Sequence, residues 1–165
     1  VSSNLLPYPE AFDNAAWEKV RTTATANVVA APHGFIVADK VEESTSTALT
    51  HNIGDGVDFV AANKYTFSVF LKKAERTSAR LWFPQAQFVG SGTYANFDLS
   101  SGVVGATYNC TASITLAGGD WYRCSITATC VTTGTGSVYI YLLRGVALSA
   151  IYTSVPGYGL YAWGA

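Results

Sequence analysis

Alternation of apolar and polar residues with a period of two dominates the chain. From Tyr65 to Leu71, the residues Tyr65, Phe67, Val69 and Leu71 fall on one side, while Thr66, Ser68, Phe70 and Lys72 fall on the other. That is the pattern of a strand with one face against a core. Ala95, Phe97 and Leu99 oppose Tyr94, Asn96 and Asp98 in the same way, and Val138, Ile140 and Leu142 oppose Tyr139 and Tyr141. Between Tyr122 and Cys130 the inward set is Tyr122, Cys124, Ile126, Ala128 and Cys130, which leaves Arg123, Ser125, Thr127 and Thr129 on a wet face. Each run predicts a half-buried antiparallel strand.

Turn chemistry punctuates the runs at Pro32-His33-Gly34, Gly54-Asp55-Gly56, Gly90-Ser91-Gly92, Ser101-Gly102, Gly118-Gly119-Asp120 and Gly134-Thr135-Gly136. Strands are expected at roughly 24–30, 35–42, 47–53, 64–73, 78–88, 94–99, 103–108, 111–116, 121–131, 136–143 and 158–164. The one helical feature expected is a turn at Phe12 to Trp17. So many short strands, with no linker, repeat or charge run between them, predict an all-β, two-sheet antiparallel sandwich spanning residues 1–165 as one domain.

Composition narrows the partners. The 165 residues are only 13% charged, about half the usual ~25% of soluble domains. Ten Lys plus Arg against 11 Asp plus Glu leave a net charge of -1. No cationic field exists to displace counterions from a phosphate backbone, so nucleic acid is not an expected partner. No window approaches the ~18 apolar residues that cross a bilayer, and Val1-Ser2-Ser3 lacks the basic and apolar regions of a signal peptide. With no methionine and a strand-like run ending at Ala165, the chain reads as a module excised from a longer polypeptide. Cys124 and Cys130 share one run and would lie about 20 Å apart, too far for a disulfide. Cys110 either reaches one of them across the Gly118-Gly119 turn or stays a small free thiol.

Several segments, in order, carry a resemblance. They are Asn4-Leu5-Leu6-Pro7-Tyr8-Pro9-Glu10-Ala11-Phe12-Asp13-Asn14-Ala15-Ala16-Trp17, Ala31-Pro32-His33-Gly34 through Ala38-Asp39-Lys40-Val41, and Tyr65 through Lys72. Phe97-Asp98-Leu99-Ser100-Ser101-Gly102-Val103-Val104, Trp121-Tyr122-Arg123-Cys124-Ser125 and Gly159-Leu160-Tyr161-Ala162-Trp163-Gly164-Ala165 follow. The chain resembles jelly-roll, concanavalin-like modules of bacteriophage structural and tail proteins, which are similar to the carbohydrate-binding modules of bacterial glycoside hydrolases. The resemblance implies a non-catalytic sandwich, extracellular or virion-associated, that holds a polysaccharide or cell-surface glycan on a sheet or loop rim. It implies no cofactor beyond a structural Ca²⁺, for which Glu10, Asp13, Asn14 and Asp39 offer hard oxygen donors in loops. Asp and Asn serve caps and turns equally well without an ion.

Enzyme chemistries find little support in the residues. A glycosidase needs two carboxyl groups facing each other at ~5 to 10 Å. Asp55 and Asp58 flank a Gly-rich segment, the adjacent Glu42 and Glu43 point to opposite faces, Asp98 is alone on its strand, and no Glu-x-Asp-x-x-Glu occurs. His51, Tyr139, Tyr141, Arg80 and Gln87 could supply a lyase set, yet the same residue types furnish any glycan-binding face. His33 and His51 lack partners at zinc-ligand spacing and read as loop residues, and no G-x-S-x-G elbow exists.

The candidate site is aromatic. Leu81 and Phe83 read as inward, which turns Arg80 and Trp82 outward. Exposed aromatics stack on the apolar faces of sugar rings, and Arg, Gln and Asn bond hydroxyls. Phe70, Lys72, Tyr94, Asn96, Arg123, Tyr139 and Tyr141 are expected to share that face, with Gln85 and Gln87 near its rim. Trp82 and Tyr141 equally suit a small second core or a subunit contact. Two functions follow: a carbohydrate-binding module that attaches a larger phage or secreted protein to a polysaccharide, or a structural virion decoration or assembly module without sugar binding; a homo-oligomer or a larger parent protein is the expected setting.

Overall fold

The computed structural model describes residues 3–145 and 149–165; the opening Val1-Ser2 read for a leader lies outside them. Among the described residues the chain forms strands and turns and no helix. One sheet, A, has the order β1 (Glu18–Val20), β5 (Asn52–Phe59), β12 (Gly134–Leu143), β7 (Ser78–Phe83), β8 (Thr93–Asp98), β9 (Val103–Tyr108). The other, B, has the order β10 (Thr111–Gly118), β11 (Trp121–Thr129), β6 (Lys64–Lys73), β14 (Gly159–Trp163), β3 (Ile36–Glu43), β2 (Thr22–Ala30). A small ribbon pairs β4 (Ala48–Leu49) with β13 (Tyr152–Thr153).

All pairings are antiparallel, and β3–β14–β6–β11 packed on β5–β12–β7–β8 is the wrapping of a jelly roll. The inward sets expected from alternation meet between the sheets. Phe67, Val69 and Leu71 of β6, Cys124 and Ile126 of β11, Leu81 and Phe83 of β7 and Ile140 and Leu142 of β12 are all buried there, closed at one end by Phe12 and Trp17. The three cysteines are free, with Cys124 and Cys130 in the core and Cys110 half-buried.

Several expectations about elements are corrected. Gly54-Asp55-Gly56 is not a turn but the middle of β5, and the run expected at 47–53 divides into β4 and the start of β5. Gly54 answers a packing demand: a Cβ there would collide with the Tyr139 ring and the Val138 carbonyl. The run expected at 78–88 stops at Phe83, because Pro84 has no N–H for the ladder. Phe12 to Trp17 forms successive turns closed by Asn14 N–H to Ala11 O and Trp17 N–H to Asn14 O, without a helix. His51 is fully buried, not solvated, with its ring 5.1 Å from that of Tyr152.

A candidate saccharide face on sheet A

Strand register assembles the outer face of sheet A. Tyr139 pairs with Gly54 on one side and Trp82 on the other; Trp82 pairs with Tyr94, and Tyr94 with Tyr108. Four aromatic rings therefore stand in one row across four strands, about 14 Å from end to end at the ~4.8 Å strand spacing. The next row holds Asn52, Tyr141, Arg80 and Asn96.

The two rows interlock. Trp82 and Tyr94 stack at 5.0 Å with planes 9° apart, Tyr108 lies 4.9 Å from Tyr94, and Tyr141 lies 5.9 Å from Trp82 and 5.8 Å from Tyr139. The Arg80 guanidinium lies 4.0 Å from the Tyr94 ring centre, and its Nε donates to Asn96 Oδ1 at 2.7 Å. Burial, opposed by the neighbouring Tyr94, Tyr141 and Tyr108, lowers the Arg80 pKa, and burial with Tyr139 beside it raises that of Tyr141. Trp82, Tyr94, Tyr139 and Tyr141 are half-buried, and Tyr108 is 42% exposed. One face of the Trp82 indole is taken by Tyr94, so the open surface belongs to the row as a whole. At its far end the Tyr139 ring leans over Gly54, and the space above Gly56 is empty.

The sequence-derived set divides. Trp82, Arg80, Tyr94, Asn96, Tyr139 and Tyr141 lie together on sheet A. Phe70, Lys72 and Arg123 do not share their face: they belong to β6 and β11, whose outward side is the opposite surface of the sandwich. Alternation separates the two faces of a strand but carries no information about which sheet the strand joins or how deeply an outward side chain is covered. Gln85 is exposed in the β7–β8 loop, whereas Gln87 is buried, its amide packed where Cβ atoms on Gly134 and Gly136 would sit. Tyr108 and Gly54 are additions; only the cross-strand register reveals them.

Glu18 pairs with Gly54 at the end of the row, and a separate acid–base cluster is buried elsewhere. Glu43 accepts from Arg76 Nε and Nη2 at 2.6 and 2.9 Å, from the Tyr152 hydroxyl at 2.6 Å and from Val155 N–H at 2.7 Å. Burial pushes its carboxyl up, but these donors prevail and hold it below its ordinary value. His51 sits beside this cluster with neither ring nitrogen hydrogen-bonded. The residues weighed for a lyase are thus separated: Tyr139 and Tyr141 are half-buried on the outer side of sheet A, Arg80, expected outward, is buried beside them, and His51 is sealed inside.

Of the oxygen donors considered for Ca²⁺, the side chains of Asp39 and Asn14 are engaged by backbone N–H groups, and Lys19 bonds the backbone carbonyls beside them. Lys19 Nζ donates to the carbonyls of Asp13 and Asn14 at 2.9 and 2.6 Å. The two Asp39 oxygens accept from Phe12 and Asn27 N–H at 2.8 and 3.0 Å. An ammonium with Asp13 and Asp39 as its electrostatic neighbours occupies this corner. Among the described residues no group of three or more His, Cys, Asp or Glu is placed to hold a metal.

No protein-family model matches the chain, and no curated protein sequence matches it. Among solved structures it is similar to the enzymatically active domain of bacteriophage CBA120 tailspike protein 4, with a TM-score of 0.55 and 12% sequence identity. The similarity covers 97% of this chain and 20% of that one, so the chain spans about a fifth of the length of the structure it matches. At this identity the likeness is one of fold: a β-sandwich of a kind found within a phage tailspike.

Proposed function

We propose that the chain is a non-catalytic carbohydrate-binding module of a larger phage or secreted protein, holding a polysaccharide across the outer face of sheet A. The observation that carries this reading is the row Tyr139, Trp82, Tyr94, Tyr108, braced by the buried pair Arg80 and Asn96. Aligned rings offer apolar surface to successive pyranoses, and the tyrosine hydroxyls and the indole N–H of the same row offer hydrogen bonds. Each contact is weak, and several copies in a virion or enzyme raise the effective affinity. The tailspike likeness supports a phage setting.

The test is retention on polysaccharide affinity gels and glycan arrays. Trp82→Ala and Tyr139→Ala are expected to abolish retention while leaving the β-sheet circular dichroism spectrum intact; retention unchanged in both would reject the sheet A face. A second reading, an assembly module without sugar binding, draws on the opposite surface. There Trp121 packs with Phe70, Tyr161 and Trp163, and Phe35 and Ile36 are 71% and 65% exposed. It requires a concentration-dependent oligomer and no retention on any glycan. Because the tailspike structure is described as enzymatically active, release of reducing ends from the retained polysaccharides is the assay that would restore an enzymatic role.

A further inference from the structure

A second cleft opens on the side of the sandwich, and its lining shares no residue with the aromatic row. Strand β14 covers β6 only from Phe70 to Lys73, so the edge of β6 from Lys64 to Val69 has no strand partner on that side. The gap is a cleft of about 660 Å³. Its walls are β6 from Lys64 to Ser68 and the N-terminal segment from Ser3 to Leu6; Phe59, Phe83 and Val138 are among the residues at its base. The N-terminal wall is pinned: Asn4 Nδ2 donates to Ala165 O at 2.8 Å, and Leu6 N–H donates to Asn4 Oδ1 at 3.0 Å.

Among the described residues, the charged side chains lining the cleft are Lys64 and Arg123, with no Asp or Glu. Arg123 reaches Ser68 Oγ through Nη2 at 3.2 Å, and the rest of its guanidinium fork is exposed. Two cations without an acid, in a chain with net charge -1, are a local inversion of sign. Guanidinium forks match carboxylate and phosphate oxygens, and ammonium groups add a point charge. The unpaired β6 edge adds backbone donors and acceptors for hydroxyls, and the apolar base suits the carbon face of a ring.

We propose that this cleft binds an anionic saccharide, with acid groups of the chain held at Arg123 and at Lys64, which stand six residues apart along the β6–β11 register. The inference extends the carbohydrate-binding reading but uses a different surface, so each can fail alone. An extended peptide pairing with β6 is disfavoured, because the free edge is only about 17 Å long before β14 blocks it.

The experiment follows backbone amide NMR shifts during titration with oligogalacturonate, glycerol-phosphate oligomers and neutral malto-oligosaccharides. Oligogalacturonate or the phosphate oligomer is expected to shift residues 64–68 and 3–6, with affinity falling at least tenfold between 50 and 500 mM salt. In the Lys64→Gln/Arg123→Gln double variant that affinity is expected to fall at least tenfold, whereas Trp82→Ala leaves it unchanged. Which of the two anions shifts the cleft tells carboxylate from phosphate. The proposal is overturned if neither anion shifts these residues, if the double variant binds as the parent does, or if neutral sugars shift the cleft equally. Peptide-induced protection of the β6 amides that is indifferent to the double variant would also overturn it. Loss of shifts at Trp82, Tyr94 and Tyr139 with every sugar, while the cleft still responds, would reject the sheet A reading alone.

Discussion

Gly54 shows how a single missing side chain positions the proposed platform. The Tyr139 ring occupies the volume that a Cβ at residue 54 would need, while two residues along the same face Gly56 has nothing within 4 Å of its would-be Cβ. Both positions are extended strand, so the contrast isolates packing from backbone strain. Gly54→Ala should therefore lose about 1–3 kcal/mol through forced repacking, and with Tyr139 displaced, saccharide affinity should drop. Gly56→Ala should stay within ~0.5 kcal/mol of the parent. Urea melts of the two variants check this, and equal losses would contradict it. Much of the residue-scale pattern was legible: Leu81 and Phe83 bracket Trp82, and the indole does lie on the outer face. The companions of Trp82 were only partly legible, because Tyr139, Tyr94 and Tyr108 meet it through register between strands distant in sequence.

At the scale of elements, the buried cluster ties the ribbon β4–β13 and its flanking loops to β3. Glu43 from β3, Arg76 from the β6–β7 connection and Tyr152 from β13 satisfy one another, with the Arg76 guanidinium 5.0 and 5.1 Å from the Tyr152 and Tyr158 rings. Removing one partner strands a buried charge, so Arg76→Met should cost about 3–5 kcal/mol. Acid adds a signature. Burial foremost lowers the His51 pKa, with Arg21 and Arg76 acting the same way and Glu43 opposing. A depressed histidine pKa favours folding above its unfolded value near ~6.5 and progressively less below it. The lowered Glu43 carboxyl likewise stabilises above its unfolded value near ~4.3 and is lost as pH falls through its folded value. Asp39 and Asp55, raised chiefly by burial, act in the opposite sense, relieving their cost of ionisation as pH falls toward ~3.9. Replacing His51 by Phe leaves no unsatisfied ring nitrogen and should preserve stability at pH 7 while flattening the fall between ~6.5 and ~5; denaturant midpoints across that range decide it. The Lys19 ammonium over the Asp13 and Asn14 carbonyls leads to a further expectation, a melting temperature that neither EDTA nor added Ca²⁺ moves. These tertiary ties explain why the run expected at 47–53 divides: local alternation gives no sign that His51 is drawn inward against Tyr152.

For the whole molecule, the decisive step is the wrapping that places consecutive strands β6 and β7 in opposite sheets. Strand phase, readable in the sequence, says only that Phe70 and Trp82 both point outward; the wrapping sends them to opposite surfaces, which is why the expected single face divides into two. The same wrapping buries Cys124 and Cys130 between the sheets, while Cys110, at the turn where β9 crosses to β10, stays partly accessible. Burial raises the thiol pKa of Cys124 most and that of Cys110 as well, so thiolate supply is limited at both, but only Cys110 can be met by a reagent without opening the sandwich. Native protein should therefore label at one thiol, with the other two reacting at the rate of global opening and all three at once in denaturant. Mass spectrometry after timed alkylation counts the modified sites. Two or three fast thiols in the native state would mean that the sheets part locally, and the sealed interior from which both outer faces draw their rigidity would have to be abandoned.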